Sequence, residues 1–332
     1  MEMENKKIRI NKYDNLKGLA MFLIVLGHIY YFDFFLVNGL DGFIYIIHLP
    51  IFFFVSGYFS KIDIDQGPKL FKRLIVPYLI FSLLFYIFFL QWGIATPALF
   101  IVPSYALWFL LALFFMRMLL PILDKLRYPI LTALILALLF GFLRLNQDVL
   151  GIRRFFMFPP VFLVGYNYKR YSIRIRESYE RLYSLLSKRI TISILAILVV
   201  SAGLYIGFNF PFRLIIMKSP YEEPYWYYIC LRFAIIMIGI VSTLLIHKIM
   251  TNRECFLTKW GRNSMAIFLL HIFIVNYIQE MNINIFTRGL TAFAFSFIVS
   301  VIIVFILSRD VISKYLTLFT DAVADFILDL NK

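Results

Sequence analysis

Three histidines set the chemical possibilities of this chain. His28, His48 and His271 each stand inside a long apolar run, and the fourth histidine, His247, sits beside Lys248 at the end of another. An ionisable side chain in hydrocarbon is costly unless it meets a partner or a wet cavity, so its presence there marks a candidate functional site. A neutral imidazole, the form that apolar surroundings favour, can take a proton from a hydroxyl, stabilise developing charge or carry an acyl group. It can equally relay protons through a transporter or channel, and the rival reading of a transporter stands at this level. A catalytically inactive membrane scaffold is the third reading.

The elements that must position these residues follow from composition. The chain is 62% hydrophobic and 16% charged, with 38 Phe and 21 Tyr in 332 residues. Apolar stretches long enough to cross a bilayer recur throughout, so the expected fold is all-α, a polytopic integral membrane protein. Ten helices are expected, over 16–35, 42–60, 74–92, 104–123, 128–145, 154–168, 190–209, 226–247, 263–281 and 289–308. The sixth is short and contains Pro159 and Pro160, which predicts a broken or re-entrant segment. The basic first dozen residues lack a small-residue cleavage site, so the first helix is expected to be retained.

The net charge of +14 raises the question of nucleic acid, but the positions of the cations answer it. Alternate loops and both terminal segments hold 25 of the 33 Lys and Arg, against six in the intervening loops, Arg144, Arg153, Arg154, Arg213, Lys218 and Arg288. This asymmetry predicts both termini in the cytoplasm, and no nucleic-acid partner. Residues 1–332 read as a single membrane domain, with a cytoplasmic segment at 1–15 and a mildly amphipathic cytoplasmic tail at 309–332. Cys230 and Cys255 have no metal-ligand spacing and read as packing residues; no metal is expected.

Helical rise then estimates depth. His28 falls about 18 Å from the cytoplasmic edge of a roughly 30 Å core, His48 about 21 Å from it, and His271 about 12 Å. Asp14, Lys17, Met21, Ile24 and His28 follow spacings of three and four, placing them on one helix face. That face is either the wall of a cleft running from a cytoplasmic mouth to the buried histidine or an ordinary interhelical packing face. His48 reads either as aimed at the same cavity or as an interhelical hydrogen-bonding residue, and Ser56 as packing rather than nucleophile. Ser264 shares the face of His271, and His247 reads as interfacial.

Lys69, Lys72 and Arg73 precede the third span, where cations suit a phosphate-bearing cofactor or anionic lipid. Trp108 is an aromatic-belt residue or a sugar-stacking platform, and Arg117 a snorkelling side chain. Arg153 and Arg154 are interfacial anchors or contacts for an anionic acceptor.

The runs YDNLKGLAMFLIVLGH at 13–28, HLPIFFFVSGYF at 48–59, KRLIVPY at 72–78, ALWFLLALF at 106–114 and SMAIFLLH at 264–271 together resemble the membrane acyltransferase-3 family. The likeness is nearer to its fucose 4-O-acetylase-like branch. The resemblance implies transfer of an acetyl group from acetyl-CoA to a hydroxyl of an extracytoplasmic or lipid-linked glycan, in a multi-pass protein of the bacterial plasma membrane. It implies that His28 is the essential histidine and that Arg73 matches the family's arginine after the second-helix SGY motif. Many members carry arginines where this chain has Asp14 and Lys17. The expected site is therefore His28, His48 and His271 for catalysis, Asp14, Lys17, Lys69, Lys72 and Arg73 for acetyl-CoA, and Trp108, Arg153 and Arg154 for the acceptor. In that reading His28 is the general base or the carrier of a transient acetyl group, and His48 or His271 orients it or stabilises the oxyanion. The partners are membrane lipid and the glycan, and the oligomeric state is left open.

Overall fold

The structure, a computed structural model, describes residues 9–29, 35–63, 65–91, 93, 99–145, 148–178, 189–281 and 289–328. Residues 1–8 of the N-terminal segment, 30–34 and 92 at the ends of the first and third expected spans, 179–188 of the basic connection, Arg288 and 329–332 of the tail lie outside these. Among the described residues the chain is helical with no strand.

The helices are α1 (Asn11–His28), α2 (Phe35–Phe59), α3 (Gln66–Leu70), α4 (Val76–Leu90), α5 (Trp108–Leu123), α6 (Pro129–Leu139), α7 (Ile152–Phe155) and α8 (Pro159–Ser178). They continue as α9 (Arg189–Asn209), α10 (Phe212–Ile215), α11 (Tyr225–Ile249), α12 (Phe256–Arg262), α13 (Ser264–Glu280), α14 (Gly289–Leu307) and α15 (Asp310–Leu328). A helix overlies each of the ten expected segments. Among the described residues four are long and apolar enough to cross a membrane, or up to seven if each bent pair forms one span. α5 is apolar but shorter, as is the helix over Pro129–Phe142.

Three breaks shape the bundle. α7 and α8 meet at 63°, because Pro159 and Pro160 open α8, where a missing N–H costs nothing, and cannot continue the helix before it. The expected discontinuity of the sixth segment lies there. α12 and α13 meet at 84°, and α14 and α15 at 61°, so the amphipathic tail is a helix turned away from the segment before it. Phe71–Ile75, between α3 and α4, is a π-helical turn, a widening found often at functional sites.

Apolar side chains gain little by leaving lipid for protein, so close backbone approach must hold such helices together. Gly57 of α2 lies against the Phe162 carbonyl of α8, and Gly165 of α8 lies against the Phe54 carbonyl of α2; a Cβ at either would overlap that backbone. A polar lock fixes α1. Buried Asn15 donates to the Thr251 and Arg253 carbonyls at 2.9 and 3.0 Å, and its Oδ1 accepts from Thr258 at the start of α12. Cys255 donates its backbone N–H to Thr258 Oγ1 at 2.9 Å, and both cysteines are free thiols. His247, expected at the interface, is buried within the protein, ringed by Tyr13, Phe54 and Tyr168.

Candidate functional site

A cavity of about 510 Å³ runs between α1, α2, α5 and α13, within the range of small-ligand sites, roughly 300–1,000 Å³. Its lining on α2 extends from Asp41 to Phe59, which at about 1.5 Å per residue is about 27 Å, close to the roughly 30 Å of a hydrocarbon core. Lys17, Ser56, Arg117 and Ser264 line one end. Asp41, Tyr45, Trp108, Arg154 and Lys218 line the other, and His28 and His48 face the space too.

α1 and α13 bring His28 and His271 together. His28 Nδ1 lies 2.9 Å from His271 Nε2, with the rings within 3° of parallel. His271 is fully buried, and its Nδ1 lies 2.8 Å from the Ile267 carbonyl, one turn earlier on its own helix. A carbonyl only accepts, so His271 Nδ1 carries the hydrogen and the neutral ring keeps its lone pair on Nε2. That lone pair can only accept from His28 Nδ1–H. The geometry therefore assigns the His28 tautomer, leaving Nε2 as its basic nitrogen. The Gln279 side chain donates to the His28 carbonyl at 3.1 Å and fixes the helix end.

The same reasoning constrains His48. Its Nδ1 lies 2.7 Å from the Ile44 carbonyl, so a neutral His48 also presents a lone pair on Nε2 and has no N–H left for an oxyanion. Tyr45, whose ring meets that of His48 edge-on at 5.6 Å, lines the cavity with a buried hydroxyl that has no hydrogen-bond partner among the described residues.

The expected donor-side residues divide. Lys17 lines the cavity with Met21, Ile24 and His28, as their spacing predicted. Asp14 does not line it; buried, it holds Lys17 Nζ at 2.9 Å and also pairs with Arg9. Lys69, Lys72 and Arg73 lie outside the lining. Lys69 is exposed near Asp63, Arg73 is exposed, and Lys72 reaches Asp325 and Asp321 of α15 at 2.7 and 3.6 Å.

Arg117, expected to snorkel, lines the cavity instead, with a buried Nε that has no partner among the described residues.

On the acceptor side, Trp108 and Arg154 line the cavity together, the guanidinium 4.6 Å from the ring centroid. Both are buried, so neither is a belt residue or surface anchor; Arg154 is anchored by Asp148. Arg153 is also buried but turns to the Leu145 carbonyl at 3.1 Å and lies outside the lining.

Sequence reasoning passed over Asp41, Tyr45 and Lys218. Asp41, Tyr45 and His48 are spaced four and three apart on one face of α2, a signal readable in advance. Lys218 comes from the loop before α11 and had no local signal. It follows Met217, whose φ of 57° is left-handed.

A family model described as an acyltransferase domain matches residues 10–309, covering α1 to the end of α14. Comparison with curated proteins and with solved structures returned no match. The matched region holds every residue that lines the cavity, and the apolar helices fit a membrane protein. On the extent of that match, the chain belongs to the acyltransferase-3 family, as an acyltransferase.

Proposed function

We propose that this protein is an O-acetyltransferase of the bacterial plasma membrane, with about ten spans and both termini cytoplasmic. It moves an acetyl group from cytoplasmic acetyl-CoA to a hydroxyl of an extracytoplasmic or lipid-linked glycan, in the manner of the fucose 4-O-acetylase-like branch. One observation carries the reading: in a chain of this family, a cavity nearly as long as the hydrocarbon core is thick is lined by an imidazole whose Nδ1 is held by a second histidine and whose other nitrogen has no hydrogen-bond partner among the described residues.

Charge placement supports acetyl-CoA as donor. Lys17 and Arg117 sit at one end of the cavity, where their cations suit phosphates, and the apolar face of Met21 and Ile24 leads toward His28 and suits the pantetheine arm. Lys69 and Arg73 add positive charge on the approach, whereas Lys72 is engaged by the carboxylates of α15.

His28 then works as a general base. Its Nε2 takes the proton from the acceptor hydroxyl as that oxygen attacks the thioester carbonyl. Collapse of the intermediate breaks the carbon–sulfur bond, and the departing thiolate recovers the proton from His28. His271 is a positioning residue. It accepts from His28 Nδ1–H, keeps the lone pair on Nε2 and stabilises the imidazolium once the proton arrives. Tyr45 is the neutral donor for the oxyanion, the role that the tautomer of His48 denies to a neutral imidazole there.

Radiolabelled acetyl-CoA supplied to inverted vesicles tests the reading. Label entering a glycan fraction is the expected result. Histidine-dependent solute flux with no label transferred would establish the transporter instead.

A further inference from the structure

We propose that the end of the cavity bounded by Trp108, Arg154 and Lys218 is an anion subsite that selects an acidic acceptor, one bearing a carboxylate or a phosphate group. This rests on the acetyl-transfer reading for the word acceptor, but the binding site itself stands on its own geometry.

Among the described lining residues of the cavity there are four cations, Lys17, Arg117, Arg154 and Lys218, and one carboxylate, Asp41. Two of those cations, Arg154 and Lys218, belong to this end, together with Asp41, so the anion must be held by the placement of the guanidinium and the ammonium rather than by a surplus of charge alone. Arg154 is 5% exposed, yet its guanidinium is only partly used: it meets Asp148 and the face of Trp108, and Nε has no hydrogen-bond partner among the described residues. A buried guanidinium N–H without an acceptor is costly, and an anionic oxygen removes that cost. Lys218 stays exposed at the rim, where it adds a mobile point charge to the fixed planar one.

The backbone supports the same location. Leu150, four residues before Arg154, has φ 50°, and Met217, next to Lys218, has φ 57°. Left-handed conformations at branched or bulky residues cost free energy and concentrate at ligand sites, and both flank the two cations. Met217 is held by Arg232, whose Nε donates to its Sδ at 3.1 Å, so the turn that delivers Lys218 is anchored in the bundle.

The test uses the purified full-length protein in lipid nanodiscs and three probes, methyl glucuronide, glucose 1-phosphate and methyl glucoside, with affinities measured by calorimetry. At least one anionic probe is expected to bind about tenfold or more tighter than methyl glucoside, as a charge-assisted hydrogen bond implies. Lys218→Gln should remove most of that preference while acetyl-CoA affinity, set at the other end, holds. Preference for the glucuronide identifies a uronic-acid type of acceptor, and preference for the phosphate identifies a phosphate-linked one. Equal binding of the neutral probe, binding of none, or indifference to Lys218→Gln overturns the subsite. Anion binding without acetyl transfer would leave the subsite standing and overturn the enzymatic reading; acetyl transfer to a neutral glycan without anion preference would do the reverse.

Discussion

Removing His271 should slow chemistry without weakening donor binding. In His271→Ala the hydrogen on His28 Nδ1 loses its acceptor at 2.9 Å, and nothing then selects the tautomer with the lone pair on Nε2. When His28 takes the proton, its Nδ1–H becomes a charged donor, and the missing hydrogen bond was worth about 1.5–3 kcal/mol. At about 1.36 kcal/mol per decade, kcat should fall roughly 10- to 150-fold. His271 does not line the cavity, so KM for acetyl-CoA should stay within about twofold. His271→Gln presents a carbonyl oxygen toward His28 and should recover part of the loss, which a merely structural role would not produce. The assay is steady-state acetyl transfer in nanodiscs, with the melting temperature of each variant measured alongside. A kcat within twofold of wild type, or a loss carried wholly by KM, would refute the tautomer argument.

Other outcomes follow from the same geometry. Tyr45→Phe removes the buried hydroxyl assigned to the oxyanion and should lower kcat by about 100-fold or more in the same transfer assay, while His48→Gln, which removes no oxyanion donor, should cost less. Gly57→Ala sets a methyl against the Phe162 carbonyl and should destabilise the protein by about 1–3 kcal/mol, read as a lower midpoint in chemical or thermal unfolding. The Asp310 carboxyl is held below its ordinary value of about 4 by the hydrogen bond from Asn263 and by Lys259. Its folded pKa is depressed, so its contribution is present above that ordinary value and is lost as pH falls through the folded one. Wild type should therefore lose melting temperature on acidification more steeply than Asp310→Asn.

Much of the site was legible because membrane helices convert spacing into depth. Rise per residue put His28, at about 18 Å, nearer in depth to His48, at about 21 Å, than to His271, at about 12 Å, yet it is His271 that the structure joins to His28 directly. Lys17 to His28 reads as one face from spacings of three and four alone, and it lines the cavity. Spacing does not reveal which carbonyl each imidazole meets, so the tautomers of His48 and His271 needed coordinates. Partnerships between distant elements were hidden for the same reason. Lys72 looks available in sequence, but α15 turns back to bring Asp321 and Asp325 to it. Arg154 read equally as an interfacial anchor or as a contact for an anionic acceptor, because spacing does not say whether charge near a span end turns outward or inward; here Asp148 and Trp108 hold it inside. Lys218 reaches the cavity through a left-handed turn at Met217, a backbone state that no local pattern announces in a non-glycine residue.

The central claim is that His28 Nε2 is the base for acetyl transfer, and single-turnover transfer by His28→Ala tests it most directly. The account predicts that this variant binds acetyl-CoA with unchanged affinity, unfolds at the wild-type midpoint and moves no measurable label to the acceptor. Transfer at the wild-type rate by a variant that binds the donor normally would contradict it.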